Sequence, residues 1–310
     1  MSTVIVFQQM LVIFILLVIG YGLSKKGLIT DSGSKLLSFL VVNVTNPAMI
    51  LSSLFEDNVS VSHQNLIIMI LFTAIIYAGL LLLGWMLPKL YCVPEEEQKY
   101  YNMMVVYAST GFIGIPLISA VLGTQALIYV TVFNIAFTLL FYIHGTRILL
   151  SDGERQKVTW KTFINIGTVS GILALLLFWF RIRFSAVIED SIITIGKAST
   201  FLSMTVLGVS LAQTPIYKIF SSIRMFLFIL ERILIIPVVF CLLMKQFFIE
   251  NMMINAMALM LAMPSANIPL MFAKQHGLET ETLSRGIALS TILSIVTISV
   301  ISMIILGEKI

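Results

Sequence analysis

Residues 263–270 of the chain read MPSANIPL, and a related stretch, YASTGFIGIPL at residues 107–117, lies at a constant offset of 153 positions. At this offset the triplet Ile-Pro-Leu at 115–117 aligns with the same triplet at 268–270, and Asn102 and Met104 align with Asn255 and Met257. Both stretches place small, polar and helix-breaking residues inside a segment that is otherwise apolar enough to cross a bilayer. Interrupted helix is tolerated at membrane depth only where it is buried in protein or lines a water-filled cavity. A pair of such interruptions, one in each half of a chain, indicates the binding site of a secondary transporter.

The composition is that of a polytopic membrane protein. Of the 310 residues, 59% are hydrophobic and 11% are charged, and the mean hydropathy is +1.03. A soluble domain has about 25% charged residues. The net charge of +4 fits charges on loops, and there is no basic run with interleaved aromatic residues, so we expect no nucleic-acid partner.

The apolar pattern predicts an all-α protein with ten transmembrane helices. The predicted spans are residues 4–23, 33–55, 66–88, 100–121, 125–149, 164–181, 187–211, 222–247, 251–273 and 285–306. The longest polar connection divides the chain into a first five-span repeat (1–150), a cytosolic linker (151–161) and a second five-span repeat (162–310). Because five is odd, the repeats enter the membrane from opposite sides and are inverted, which brings interrupted spans four and nine together as a crossing pair.

The basic residues predict the orientation. Of 19 Lys and Arg residues, thirteen lie in one set of loops, five lie on the other side, and Arg232 lies in span eight. The richer side is the cytosolic one. This places both termini on the extracytoplasmic side of a multi-pass protein of the cell (cytoplasmic or plasma) membrane. The first span lacks a basic leader and a cleavage site and is predicted to be a retained helix.

The two interruptions are predicted to bind a small anion. A break around residues 111–116 and another around 264–269 leave N–H groups unpartnered at the start of each second half-helix, where roughly half a positive charge resides. The predicted substrate-binding residues are Asn46, Ser109, Thr110, Gly111, Gly114, Pro116, Asn134, Pro264, Ser265, Asn267 and Pro269. With these donors a carboxylate can be held without a buried Arg or Lys, and we expect no metal and no cofactor. Asn46, in the NPA triplet, either faces the substrate or caps carbonyls freed by Pro47, and Asn134 is either a site residue or a helix–helix contact.

Two titratable residues leave alternatives open. Glu231 is the one Asp or Glu residue clearly inside a predicted span, and it is either a structural ion pair with its neighbour Arg232 or a group that couples transport to protons. His144, near the cytosolic end of span five, titrates near neutral pH, although most interfacial histidines have no such role. The spans contain no Ser–His, His–Glu or paired-Asp arrangement, so we expect no enzyme.

The ordered set of motifs resembles the auxin efflux carrier family, which includes bacterial malate-type permeases and the plant PIN-formed auxin exporters. The motifs are NPA at 46–48, GIPL at 114–117, and P-x-x-x-x-P followed by FAK at 264–274. The resemblance covers all ten spans and implies a fold similar to that of bile-acid symporters and sodium–proton antiporters. It also implies a scaffold of spans one, two, six and seven that carries a homodimer contact. Spans three to five and eight to ten would form a transport domain that moves by an elevator mechanism, with substrate at the helix crossover.

The predicted function is secondary active or potential-driven transport of a small organic anion through the lipid bilayer. Candidate substrates are a malate-like dicarboxylate, a monocarboxylate or an auxin-like acid. The short linker, and Ser109–Thr110 where the plant motif has Asn–Thr, favour a small organic acid over auxin itself. The alternative is a sodium-coupled organic-anion symporter of the bile-acid type, because carbonyls freed at the breaks can bind Na⁺.

Overall fold

A computed structural model describes residues 2–52, 55, 63–123, 126–150, 166–180, 182–213, 216–244, 246 and 251–306. These residues form helices and one isolated β-bridge, without a strand. The helices are α1 (Ser2–Lys25), α2 (Asp31–Ser52), α3 (His63–Leu90), α4 (Glu95–Val106), α5 (Ile115–Leu122), α6 (127–149), α7 (Ile166–Trp179), α8 (Ala186–Gln213), α9 (Ile216–Phe220), α10 (Ile223–Met244), α11 (Asn251–Ala262), α12 (Ile268–Gln275) and α13 (Glu281–Leu306). Within this part of the chain, seven helices are long and apolar enough to cross a membrane, so the prediction of an all-α polytopic membrane protein is confirmed.

The two interrupted spans are pairs of short helices. The fourth predicted span corresponds to α4 followed by α5, and the ninth to α11 followed by α12. The sixth predicted span, residues 164–181, is described over the helix Ile166–Trp179. The predicted cytosolic linker, residues 151–161, lies outside the described residues.

Proline explains three local distortions of the helices. Each distortion is a five-residue π turn that ends two residues before a proline: Val41–Thr45 before Pro47, Thr110–Gly114 before Pro116, and Glu231–Ile235 before Pro237. Proline has no N–H, and its ring clashes with the carbonyl four residues earlier, so the regular α-helical bond cannot form and the backbone widens ahead of it. A fourth π turn, Phe141–Gly145 in α6, is not followed by proline.

Helix α8 lies at the centre of one group of packed helices. A Cβ atom on Gly208 would lie 2.2 Å from the carbonyl oxygen of Leu17, and one on Gly20 would lie 2.5 Å from that of Thr205. The backbones of α1 and α8 are therefore in direct contact, which small residues permit in membrane helices. Helix α8 also packs along α2, where Ser199 Oγ donates to Thr45 Oγ1 at 2.7 Å.

A second group surrounds the broken helices. Helix α3 packs on α4, and α10 packs on α11, while α13 contacts α4, α10 and α11. The chain segments between the half-helices, residues 107–109 and 263–267, are thereby enclosed on all sides, and both are buried. We call these two segments together the crossing.

Candidate functional site: the helix crossing

The two broken helices pair at the crossing through a short antiparallel β-bridge between Ala108 and Ser265. The bridge has two backbone hydrogen bonds, from Ser109 N to Pro264 O at 2.8 Å and from Ala266 N to Tyr107 O at 2.9 Å. Buried backbone groups must be paired. The bonds that each helix loses by breaking are therefore made, in part, between the two helices.

The first break lies earlier than the sequence predicted. It falls at residues 107–109, and the stretch 111–116 that was expected to be broken forms a π turn and the start of α5. The carbonyl of Ser109 begins this second half-helix by accepting the N–H groups of Ile113 (3.2 Å) and Gly114 (3.1 Å). The break lies before Pro116 in the chain because a proline disturbs the helical turn that precedes it. The second break lies within residues 263–267, at Pro264, as predicted.

We call residues 107–109 the first arm of the crossing and residues 263–267 the second arm. Unpaired donors lie on the first arm and on α6 beside it. Thr110 Oγ1 donates to Asn134 Oδ1 at 3.2 Å, while Asn134 Nδ2 and Ser109 Oγ are buried and have no partner among the described residues. A Cβ atom on Gly111 would lie 3.3 Å from Asn134 Oδ1 and 2.6 Å from Met49 Cε, so glycine lets α2 and α6 approach this backbone. A buried unpaired polar group costs about 1–3 kcal/mol. These two donors are therefore suited to a polar ligand.

The second arm is occupied by structural hydrogen bonds. Asn267 Nδ2 donates to Ser203 Oγ of α8 at 2.8 Å. Ser265 Oγ donates to the carbonyl of Met104 at 3.0 Å, and Ser265 N donates to Ser290 Oγ of α13 at 3.0 Å. The two arms thus differ in chemistry although their sequences are related.

The remaining predicted site residues frame the crossing. Asn46 is buried directly after the first π turn, one turn before Met49, which contacts the first arm. Pro269 lies in the first turn of α12, where a missing N–H is tolerated because that group would have no helical partner. Pro116 is the second residue of α5, directly after the π turn 110–114, and its side chain is not among those described.

Arg232 lies at the crossing, and sequence reasoning missed it. Its side chain is fully buried, with Nε donating to Met104 O at 3.2 Å and Nη1 donating to Leu261 O at 2.5 Å. These carbonyls belong to the last turns of α4 and α11, so one guanidinium binds the C-terminal ends of both first half-helices, where negative partial charge collects. The sequence predicted that a carboxylate can be held there without a buried Arg or Lys, and the structure adds a buried guanidinium to the crossing. Arg232 lies within a π turn, whose extra residue shifts later side chains by about 100° around the axis.

Glu231 has a different partner from the one expected. Its Oε2 accepts a hydrogen bond from Tyr91 Oη at 2.5 Å, and Arg232 points to the crossing, so the neighbours do not form an ion pair. Tyr91 lies in the turn after α3. Burial raises the pKa of Tyr91 to about 12, and the hydrogen bond to Glu231 acts in the same direction. The phenol is therefore protonated at neutral pH and remains the donor.

Helix α8 holds both arms of the crossing. Thr200 Oγ1 donates to the carbonyl of Phe112 at 3.3 Å. This carbonyl lies four residues before Pro116 and is the one whose helical donor the proline removes. One turn along α8, Ser203 binds Asn267 of the other arm. The sequence feature that could have indicated this contact is the pair Thr200 and Ser203, two polar residues on one face of an otherwise apolar helix.

The α8–α12 contact continues in register towards the end of α12. Lys274, seven residues after Asn267, is buried and lies 3.4 Å from the Oγ of Ser210, which is seven residues after Ser203. The Nζ of Lys274 also lies 3.5 Å from Asp31 Oδ1 of α2. Side chains of α8 therefore meet Asn267 and Lys274 at two levels spaced by seven residues.

A helical membrane protein whose two broken helices meet at a buried polar site has the architecture of a membrane transporter. The family described as membrane transport protein matches residues 5–302, and the chain belongs to this family, that of the auxin efflux carriers. The resemblance noted from the motifs is thereby confirmed. The chain is 23% identical over 308 residues to an uncharacterized transporter of Methanocaldococcus jannaschii, covering 96% of this chain and 98% of that protein. It is 24% identical over 315 residues to an uncharacterized transporter of Methanothermobacter thermautotrophicus, covering 96% and 97%.

Proposed function

We propose that this transporter is a secondary carrier of a small organic anion and that the carboxylate binds at the first arm of the crossing. The observation that carries the proposal is the pair of buried, unpaired donors, Ser109 Oγ and Asn134 Nδ2. A carboxylate is an acceptor-only group, and it can accept both from a hydroxyl and from an amide N–H. Thr110 positions Asn134 by binding its oxygen, which leaves the amide nitrogen for the ligand.

The charge of the crossing supports an anion. Among the described residues, the charged side chains that are buried are Arg232 and Lys274; Lys274 lies seven residues beyond Asn267 and close to Asp31, so Arg232 is the buried charge at the crossing. Arg232 is bound to neutral carbonyls and not to a carboxylate, so its positive charge is uncompensated by an acid. An inside-negative potential then drives export of the anion, by about 2.3 kcal/mol per charge for each 100 mV.

The same arginine disfavours the sodium-coupled alternative. A sodium site at this kind of crossing needs backbone carbonyls freed by the breaks. Here the carbonyls of Met104 and Leu261 bind the guanidinium instead. The positively charged guanidinium of Arg232 therefore uses the carbonyls that a coupling cation would need.

For the mechanism, we propose elevator-type movement between two groups of helices in a ten-helix inverted repeat. Helices α1, α2, α7 and α8 would form the scaffold, and α3–α6 with α10–α13 the transport domain. The hydrogen bonds of Thr200 and Ser203 would then join the scaffold to the moving crossing. We further propose that the protein forms a homodimer through the scaffold. Both termini would lie on the extracytoplasmic side of the cytoplasmic membrane.

The test is counterflow of labelled malate in proteoliposomes, challenged with unlabelled monocarboxylates, dicarboxylates and indole acetate. Ser109→Ala and Asn134→Ala should each raise the KM about tenfold or more, as expected for the loss of one hydrogen bond to a charged ligand. Ser302→Ala is the matched control, because Ser302 of α13 is also buried with an unpaired Oγ, twelve residues beyond the serine that contacts the crossing.

Two outcomes would contradict the proposal. If Ser109→Ala and Asn134→Ala transport with the same KM as Ser302→Ala, the anion does not bind at the first arm. If correctly inserted protein exchanges none of the acids with or without sodium, the substrate is not a carboxylate.

A further inference from the structure

His144 is hydrogen-bonded to a residue of the crossing. Its Nδ1 lies 2.9 Å from the phenolic oxygen of Tyr107, which also donates to the carbonyl of Leu140 at 3.2 Å. A phenol has a single proton. Either atom can donate in the bond between His144 and Tyr107, and the direction depends on the tautomer of the histidine. In the imidazolium both ring nitrogens carry a proton, so Nδ1 then donates to the phenolic oxygen.

Tyr107 connects this histidine to the backbone of the crossing. Its side chain is fully buried, and its carbonyl accepts the Ala266 N–H bond of the bridge. The phenol ring is held edge-on between Phe137 and Phe141, with centroid distances of 5.4 and 5.3 Å. A Cβ atom on Gly145 would lie 3.2 Å from the phenolic oxygen, so glycine makes room for it. A shift of Tyr107 therefore cannot occur without a response in the bridge.

The fourth π turn, Phe141–Gly145, places His144 in this position. The other three π turns follow from prolines, whereas this one has none. π turns inside α-helices are frequent at functional sites, because the extra residue weakens the helix. This π turn, which no proline explains and which contains a titratable residue, is the second observation behind the inference.

Tyr107 is the titratable side chain that faces His144 from the crossing. Arg147 lies on the same helix, three residues further along. On the neighbouring helix α12, Lys274 lies near Asp31 and His276 lies near the carbonyl of Phe272. On α4, Tyr101 packs against the ring of Phe228, and the remaining titratable groups, Glu95, Glu96, Glu97, Lys99 and Tyr100, lie in its N-terminal half, away from the crossing. A change of charge on His144 therefore acts on Tyr107 directly.

We propose that His144 is the residue through which protons act on this carrier, as a positioning residue for Tyr107 and the crossing. The inference rests on the proposed function and adds the proton as a second ligand. An imidazolium donates a stronger, charge-assisted hydrogen bond to Tyr107 than a neutral ring and adds positive charge near the anion. Protonation therefore raises the affinity for the anion, and by linkage a bound anion raises the affinity of His144 for its proton.

The first experiment measures the KM for a carboxylate whose own pKa lies below about 4, at equal pH on both sides of the vesicle membrane. In the wild type the KM should rise about fivefold or more between pH 6 and pH 8, the lower end of the range for coupled sites. His144→Gln should flatten this profile, and Tyr107→Phe should weaken it. His276→Gln is the control and should keep the wild-type profile. A flat profile in the wild type, or an unchanged one in His144→Gln, would overturn the inference.

A second readout does not depend on transport. It is the thermal unfolding temperature in detergent, measured across the same pH range. This temperature should change with pH in the wild type and in His276→Gln. In His144→Gln the part of the pH dependence that is due to His144 should be absent. This holds even if no carboxylate is carried, so failure of the proposed function can be told apart from failure of this inference. Identical pH profiles for His144→Gln and the wild type would exclude His144 as the proton-responsive group.

Discussion

Replacing Arg232 tests whether one guanidinium holds both broken helices together. Methionine has a similar length and no donor, so Arg232→Met removes both hydrogen bonds and the charge while filling much of the same space. Lysine keeps the charge but presents it as a single point, which cannot bridge two carbonyls as a planar guanidinium does. Arg224→Met, an exposed position two turns earlier on α10, is the control.

The expected cost follows from the partners left behind. The Met104 carbonyl keeps a hydrogen bond from Ser265 Oγ, so it remains satisfied, whereas the Leu261 carbonyl loses the donor that binds it. An unsatisfied buried carbonyl costs about 1–3 kcal/mol, and the loss of one of the two donors at the Met104 carbonyl adds a smaller cost. Relief of the buried charge offsets part of the loss. We expect Arg232→Met to lower the free energy of unfolding by about 2 kcal/mol.

Two assays separate the roles of the hydrogen bonds and of the charge. The free energy of unfolding in detergent micelles should fall in the order wild type, Arg232→Lys, Arg232→Met. The affinity for the anion should be nearly the same in the wild type and Arg232→Lys and lower in Arg232→Met. Wild-type stability and affinity in Arg232→Met, matching Arg224→Met, would refute the assignment of Arg232 to the crossing.

Two further predictions concern movement and coupling. After replacement of Cys92 and Cys241 by serine, cross-linking a Ser203→Cys, Asn267→Cys pair should stop counterflow until reductant is added, since the two side chains are 2.8 Å apart and lie on opposite sides of the proposed sliding contact. Transport by the cross-linked protein would rule out displacement of α12 along α8. Glu231→Gln should leave the pH profile of the KM unchanged, because an amide oxygen still accepts from Tyr91. Loss of the pH dependence with transport retained would instead make Glu231 the coupling group.

The sequence alone predicted the features that depend on short-range rules. Hydropathy over about 20 residues decides whether a segment can cross a bilayer. A proline disturbs the turn before it whatever surrounds it. These rules located both interrupted helices and the candidate residues near them. The spacing of Pro47, Pro116 and Pro237 also contained the signal for the three π turns, since each turn ends two residues before its proline.

The tertiary structure decided what each polar group binds. Arg232 and Met104 are separated by 128 positions in the sequence, and Ser265 and Met104 by 161. No local pattern could show that Arg232 would turn away from Glu231, or that Thr200 would bind the carbonyl released by Pro116. Such partners depend on how α8 and α10 pack against the broken helices, because a hydrogen bond needs its two atoms within about 3 Å. The sequence thus determined that two helices break and near which prolines, whereas only their packing determined the exact position of the first break, which groups join the two helices there and which buried donors lack a partner among the described residues.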